Sequence, residues 1–191
     1  MINTPICRFY FFGIGLFFLC FVGCKNDLKK IHSTIDRNML NTERAEEVTI
    51  LYSKDGHTTA KLYTKKFIHI ENTDPTYIEM KEGIKVEFFD DSLFVKSTLT
   101  AKYGKYFENS GNVLVRDSVV VSNNKKETLH TEELVWSEKL KKMYTDKFVK
   151  ITTPTQVIFG DGLESDQTFS VYKITNVKGM IGISNKALPI Q

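Results

Sequence analysis

Apolar and polar residues alternate along most of the chain from residue 47 onward. Residues 84–88 are typical, because Ile, Val and Phe alternate there with Lys and Glu, as in a strand that buries one face. No stretch of ten residues in this region has the 3.6-residue period of a helix. The pattern therefore predicts an all-β domain over residues 47–184, followed by a short C-terminal tail over residues 185–191.

Turn residues divide this region into short strands. Asp55-Gly56 is a strong hairpin signal, because both residues readily adopt a positive φ. Gly160-Asp161-Gly162 is predicted to be a tight turn between strands, since neither a Lys-Ser/Thr pair nor a helix follows it, as a phosphate-binding loop would require. The predicted strands cover residues 48–52, 57–71, 77–80, 84–89, 93–107 and 112–122, two segments within 127–151, and residues 155–159, 168–174 and 179–183.

A weak internal repeat also lies in this region, because residues 112–122 align with residues 142–152. A repeat of this kind indicates stacked hairpins that share one interior, although two copies also arise by chance in a strand-rich chain. Val113, Val115, Val119 and Val121 match Met143, Thr145, Val149 and Ile151, in that order.

Composition narrows the class of protein. A hydrophobic content of 41% with 26% charged residues excludes a disordered chain and a polytopic membrane protein. The formal net charge is +3, and the basic residues are scattered rather than clustered in a stripe. Nucleic acid is therefore not an expected partner.

The N-terminus has the pattern of an export signal. Residues 9–22 form an almost unbroken apolar run that ends at Gly23-Cys24. As a helix, residues 9–23 span about 22 Å, short of the ~30 Å hydrocarbon core of a bilayer. The boundary resembles a bacterial lipobox, in which a lipidated cysteine becomes the first mature residue. We therefore predict a lipoprotein signal peptide over residues 1–23 and lipid attachment at Cys24, the alternative being an uncleaved single N-terminal transmembrane anchor.

Residues 24–46 are predicted to form the lipidated anchor and a polar tether, with a marginal amphipathic helix as the alternative. Loss of Cys7 and Cys20 with the signal peptide leaves Cys24 without an intramolecular disulfide partner.

Few residues are candidates for metal binding, ligand binding or catalysis. The four histidines do not show the spacing of metal ligands, so we expect no metal site, no cofactor and no catalytic residue. Asp90-Asp91 and Asp161 are interpreted as solvated turn residues rather than calcium ligands. Trp136 with Tyr103, Tyr106 and Phe107 is either a sugar-stacking platform or ordinary packing, and the sequence leaves this choice open.

Several segments, in order, resemble the LptC family, the membrane-anchored periplasmic component of lipopolysaccharide export, in its Bacteroidetes-type lipoprotein form. The resemblance covers about residues 45–178. It rests on YIEMKEGIKVEFFD (77–90), STLTAKY (97–103), GNVLV (111–115), TEELVW (131–136), YTDKFVKI (144–151) and GDGLES (160–165).

The resemblance implies an open β-jellyroll, a V-shaped antiparallel sandwich, at the periplasmic face of the inner membrane. Such a subunit accepts lipopolysaccharide from the inner-membrane Lpt ABC transporter and passes it to a downstream periplasmic jellyroll protein, which docks by edge-strand addition. The inward apolar rows would then shelter acyl chains, unless they merely pack against one another. These candidate lipid-binding residues are Val86, Phe88, Val113, Val115, Val119, Val121, Val149 and Ile151.

Two other functions remain open at this point. A passive assembly adaptor of the same complex would dock the transporter without touching lipid. A glycan-binding or carbohydrate-active periplasmic lipoprotein would need paired carboxylates in a cleft. Glu132-Glu133 is a weak candidate for such a pair, because adjacent strand residues point to opposite faces.

Overall fold

The computed structural model describes residues 42–71 and 73–183. This part of the chain forms eleven antiparallel strands without a helix, which confirms the all-β prediction. The predicted signal peptide, Cys24 and the tail over residues 185–191 lie outside the described residues. The strands are β1 (Thr42–Lys54), β2 (His57–Ile70), β3 (Tyr77–Met80), β4 (Ile84–Phe89), β5 (Val95–Ala101), β6 (Tyr103–Phe107), β7 (Asn112–Asn123), β8 (Thr128–Ser137), β9 (Lys142–Thr152), β10 (Gln156–Asp166) and β11 (Tyr172–Gly182).

The first hairpin forms where the sequence predicts it. Asp55 and Gly56 have φ values of 51° and 82°, and Lys54 pairs with His57 across this two-residue turn. Strand β1 nevertheless begins at Thr42, within the segment predicted as a tether. Its first half is mostly exposed and has no apolar alternation, so pairing with the end of β2 defines it as a strand.

Two predicted boundaries are wrong. Residues 93–107, predicted as one strand, form β5 and β6, which separate at Lys102. Gly160-Asp161-Gly162, predicted as a turn, lies inside β10, which pairs with β9 and β11 on its two sides. At Gly162 the φ of 75° and a register shift mark a bulge rather than a chain reversal. The last three predicted strands therefore correspond to two observed strands, β10 and β11.

The strands form one continuous sheet that folds into two layers. Layer I contains β3 and β6, and layer II contains β4 and β5. The longer strands run through both layers. Strand β2 pairs with β4 through residues 60–64 and with β3 through residues 67–70. Strand β7 likewise pairs with β6 through residues 112–116 and with β5 through residues 120–123.

We call the line along which strands change layer the crease. Breaks in the regular ladder mark it, and they lie at corresponding levels of neighbouring strands. Lys102, between β5 and β6, donates its backbone N–H to the Asp117 carbonyl oxygen at 3.0 Å, across the break in β7. The positive φ values of Asp117 and Ser118 belong to the same line, as do the register shifts in β8 between residues 131 and 135 and in β10 between residues 161 and 163. Bulges bend strands, so the crease brings the inner faces of both layers together.

The result is a jellyroll-like sandwich with an apolar interior. Both halves of the repeat contribute to it, because β7 and β9 lie on either side of β8. All repeat positions are buried except Thr145, which lies at the crease and is half-buried. The first and last strands of the sheet each pair on one side only among the described residues, β1 with β2 and β11 with β10.

We predict that Gly160→Ala destabilises the fold by about 2 kcal/mol. A Cβ at this position would lie 2.5 Å from Ile174 Cγ2 and 2.6 Å from the Asn176 carbonyl oxygen, which belongs to the backbone of the adjacent strand. Urea denaturation of the purified protein, followed by circular dichroism, measures the change.

The matched control is Gly179→Ala in β11, where the added Cβ meets no atom within 4 Å in the described structure. We expect it to change the free energy of unfolding by less than about 0.5 kcal/mol. Equal effects of the two substitutions would contradict the close approach of β10 and β11 at Gly160.

Candidate functional site

An apolar cavity of about 140 Å³ lies between the two layers. Layer II contributes side chains from β1, β2 and β4, and layer I contributes side chains from β3, β6, β7 and the end of β8. The cavity opens to solvent at a rim that includes the partly exposed Ile50, and its apolar walls suit an apolar ligand. The lining residues are Ile50, Tyr52, Ala60, Leu62, Ile78, Met80, Val86, Tyr106, Val113, Trp136 and Glu138.

Trp136 holds the inner wall of this cavity. Its ring meets Phe88 edge-on, with centroids 5.0 Å apart, and meets Tyr52 edge-on at 6.3 Å. These contacts cross the sandwich, because Trp136 belongs to layer I while Phe88 and Tyr52 belong to layer II. The indole N–H of Trp136 is buried and has no hydrogen-bond acceptor in the described part of the chain.

The rim of the cavity carries negative charge. The hydrogen bond from Tyr52 to the Glu138 carboxylate, followed by burial, raises the pKa of Tyr52 to about 12. Burial raises the pKa of Tyr106, and the charges of Glu138 and Glu108 add to the effect. Each perturbation favours the neutral phenol, because burial and a nearby carboxylate both disfavour a phenolate.

His69 extends the rim along the same row of side chains, because it pairs with Ile78, which in turn pairs with Tyr106. Its Nε2 atom lies 3.0 Å from Glu108 Oε1, and its Nδ1 atom lies 3.6 Å from Glu43 Oε2 and 3.8 Å from Glu71 Oε1. When His69 is protonated, these contacts join β1, β2 and the turn after β6. The described residues contain no group of three His, Cys, Asp or Glu side chains arranged to hold a metal ion.

All eight candidate lipid-binding residues point into the sandwich, and each is at least 98% buried. Only Val86 and Val113 line the cavity. The other six pack within the closed core, and lipid binding at all eight positions stays a prediction. The six are Phe88, Val115, Val119, Val121, Val149 and Ile151.

The sequence did not single out most of the cavity wall. Leu62, Ile78 and Met80 lie in predicted strands, yet alternation alone gives no signal that separates a cavity-lining residue from a packed one. The four proposed stacking aromatics do not form one platform. Tyr106 and Trp136 line the cavity, whereas the rings of Tyr103 and Phe107 face the cations of Arg116 and Lys105.

Glu132 and Glu133 do not form a carboxylate pair in a cleft. They lie where the register of β8 shifts against β9, and neither side chain is buried. Glu133 lies 4.0 Å from Lys147 Nζ, as in a surface ion pair.

Residues 42–71 and 73–183 contain no helix that is long and apolar enough to cross a bilayer.

A family model described as "Lipopolysaccharide-assembly, LptC-related" matches residues 24–181. The match covers most of the chain. The chain belongs to this LptC-related family. Its role is therefore in lipopolysaccharide transport and assembly, and the family is a non-enzymatic, periplasmic component associated with the inner membrane. No curated protein matches the chain.

We predict that Glu138→Gln lowers the pKa of Tyr52 from about 12 toward its ordinary value of 10.0. The neutral phenol is the form that the fold favours, so the stabilisation from this hydrogen bond is complete below pH 10 and is lost as the pH rises toward 12. The measurement is an absorbance titration of tyrosinate, in which subtraction of the Tyr52→Phe protein isolates the signal of Tyr52.

Glu164→Gln is the matched control, because this exposed glutamate pairs with Lys142 in a different part of the sandwich. It leaves the titration of Tyr52 unchanged. A Glu138→Gln protein that titrates as the wild type would show that the two side chains do not interact in solution.

Proposed function

We propose that this protein accepts lipopolysaccharide from the inner-membrane Lpt ABC transporter and passes it to a downstream periplasmic jellyroll protein. The observation that carries the proposal is the apolar cavity between the layers. Membership of the LptC-related family supports a lipid as its occupant.

The size and lining of the cavity suit part of an acyl chain. Each methylene group moved from water into such a space contributes about 0.8 kcal/mol, so a short stretch of chain already binds usefully. A cavity of 140 Å³ does not hold several complete chains. A full lipid therefore requires the layers to part or the chains to extend beyond the rim.

The negative charge at the rim of the cavity favours the entry of acyl chains over that of lipid headgroups. Glu108 and Glu138 lie close enough to Tyr106 to influence its pKa, and their charges repel the phosphates of lipopolysaccharide. The anionic headgroup then stays in water while an acyl chain enters. Binding without polar recognition also suits a carrier that must release its cargo.

The two ends of the sheet supply docking positions. Strands β1 and β11 each leave one edge unpaired in the described structure, and an unpaired edge can add a strand from another sheet. One edge would meet the transporter, and the other would meet the downstream jellyroll protein. Such docking would continue the apolar interior from one protein into the next.

The anchor completes the proposal. Removal of residues 1–23 and acylation of Cys24 would hold the protein at the periplasmic face of the inner membrane, with the polar segment after Cys24 as a tether that leads to β1. The family match begins at residue 24, the predicted mature N-terminus, and this agreement supports the cleavage position.

In-cell photocrosslinking tests the proposal, with a benzophenone amino acid at Tyr106. The matched control is Phe107, because it is the next residue of β6 and also aromatic, but its ring lies on the outer face beside Lys105. We expect an adduct with lipopolysaccharide at Tyr106 that depends on cellular energy and is at least tenfold weaker at Phe107.

Equal or absent adducts at both positions, in a protein that remains folded and bound to the transporter, would contradict the lipid-carrier function. A passive assembly adaptor would then be the better description.

A further inference from the structure

The far end of layer I, away from the crease, carries two exposed apolar side chains. Leu140, in the turn between β8 and β9, is 65% exposed, and Val171, in the loop between β10 and β11, is 75% exposed. Both side chains line one surface groove, so they lie close together. Apolar side chains that are grouped at a surface, unlike single ones, indicate a contact site.

Hydrogen bonds hold the backbone of this surface in place. Gln167 donates its backbone N–H to the Lys141 carbonyl oxygen at 3.0 Å, and this bond joins the loop to the turn. The Asp166 carboxylate accepts the backbone N–H groups of Ser170 and Val171 at 2.8 and 2.9 Å. The two apolar side chains are therefore presented by an ordered backbone.

Four exposed lysines surround the two apolar side chains. We call residues 139–142 and 171–173 the basic tip. The acidic side chains that line its groove are Glu164 and Asp166, so the four lysines exceed them by two. Glu138, which precedes the turn, bonds through its carboxylate to Tyr52 at the rim of the cavity. The lysines of the basic tip are Lys139, Lys141, Lys142 and Lys173.

The acidic side chains of the groove do not neutralise all of these lysines. Glu164 pairs with Lys142, and this hydrogen bond, together with the charge of Lys173, holds the pKa of Glu164 below its usual value. The carboxylate of Asp166 is occupied by the backbone of the loop. Among the described residues, Lys141 and Lys173 form no salt bridge, so positive charge remains at the surface beside the apolar side chains.

The chain enters the sheet at this same end of layer I. Cross-strand partners lie at one level of a sheet, and a row of such partners leads from Thr42, the first residue of β1, to Lys142 of the basic tip. The proposed anchor at Cys24 precedes β1, so the chain that comes from the membrane joins the sheet at the end that carries the tip. The intermediate partners in the row are Ile70, Tyr77, Phe107, Asn112 and Ser137.

We propose that the basic tip docks on the surface of an anionic phospholipid bilayer. Leu140 and Val171 enter the interfacial region, while the lysines lie beside the negative headgroups. A protein partner fits this surface less well, because lysine is depleted in protein interfaces and two aliphatic side chains supply little of the roughly 1,000 Å² that a specific interface buries. The membrane contact goes beyond the lipid-carrier function and does not depend on it.

Photocrosslinking in vesicles tests the membrane contact. The full chain carries a benzophenone amino acid at Leu140 or Val171 and is reconstituted into vesicles of phosphatidylethanolamine and phosphatidylglycerol. The matched control position is Leu93, which is also exposed, at 60%, but lies in the turn between β4 and β5 of layer II. We expect phospholipid adducts at 140 and 171 that are at least fivefold more abundant than those at 93.

The charge of the tip is tested in the same vesicles. Lys141→Glu/Lys173→Glu lowers the adduct at 140 at least threefold, and so does replacement of the lipids by phosphatidylcholine alone, because both changes remove the electrostatic attraction. The matched control is Lys65→Glu/Lys150→Glu, which makes the same change of charge at two exposed lysines outside the tip. It keeps the wild-type yield. All four substituted positions are exposed, so the variants remain folded, and circular dichroism checks this.

Three results would overturn the proposal. Equal phospholipid adducts at 93, 140 and 171 would show that no particular surface meets the bilayer. Adducts at 140 that respond neither to the lysine substitutions nor to phosphatidylcholine would exclude the anionic surface as the occupant. Adducts at 140 with a second copy of the chain in place of phospholipid would identify a protein interface. The vesicles contain no lipopolysaccharide, so none of these results bears on the lipid-carrier function, which the probe at Tyr106 tests separately.

Discussion

The crease is the constraint on which the rest of this structure depends. Strands β2 and β7 pass through it without a chain break, and each exchanges one set of neighbours for another at the same level. Because the strands are shared, the two layers stay joined along this line and pack face to face beyond it. Contacts such as that between Phe88 and Trp136 follow from this geometry, and so does the gap between the layers that becomes the cavity.

The sequence predicted those features of the fold that depend on residues close together in the chain. Alternation with period two located most strands, and the φ preferences of Asp55-Gly56 gave the first hairpin. The failures occurred where pairing between distant segments decides the structure. Lys102 ends β5 because its N–H bonds to Asp117 in β7, not because of any signal in its own neighbourhood. Gly160 also looked like a turn residue, whereas the close approach of β11 explains the absence of a side chain.

The candidate site shows the same limit. Alternation assigned all eight candidate residues to the inner face, yet only Val86 and Val113 line the cavity. Which part of an inner face stays open depends on the separation of the layers, and bulky side chains from the opposite layer set that separation. The family resemblance predicted lipopolysaccharide transport, but it did not distinguish open positions from closed ones. Contacts between the two layers decide which inner-face positions are open.

Trp136 gives the protein an optical property as well as a wall for its cavity. It is the single tryptophan of the chain, so the indole emission of the whole protein originates at the boundary between cavity and core. Its ring is buried, with 6% of its surface exposed, and it packs against Phe88 and Tyr52. We expect an indole in these surroundings to emit further to the blue than one in water. Any molecule that enters the cavity or separates the layers changes those surroundings directly. The fold therefore carries an intrinsic fluorophore that reports the state of its interior without a chemical label.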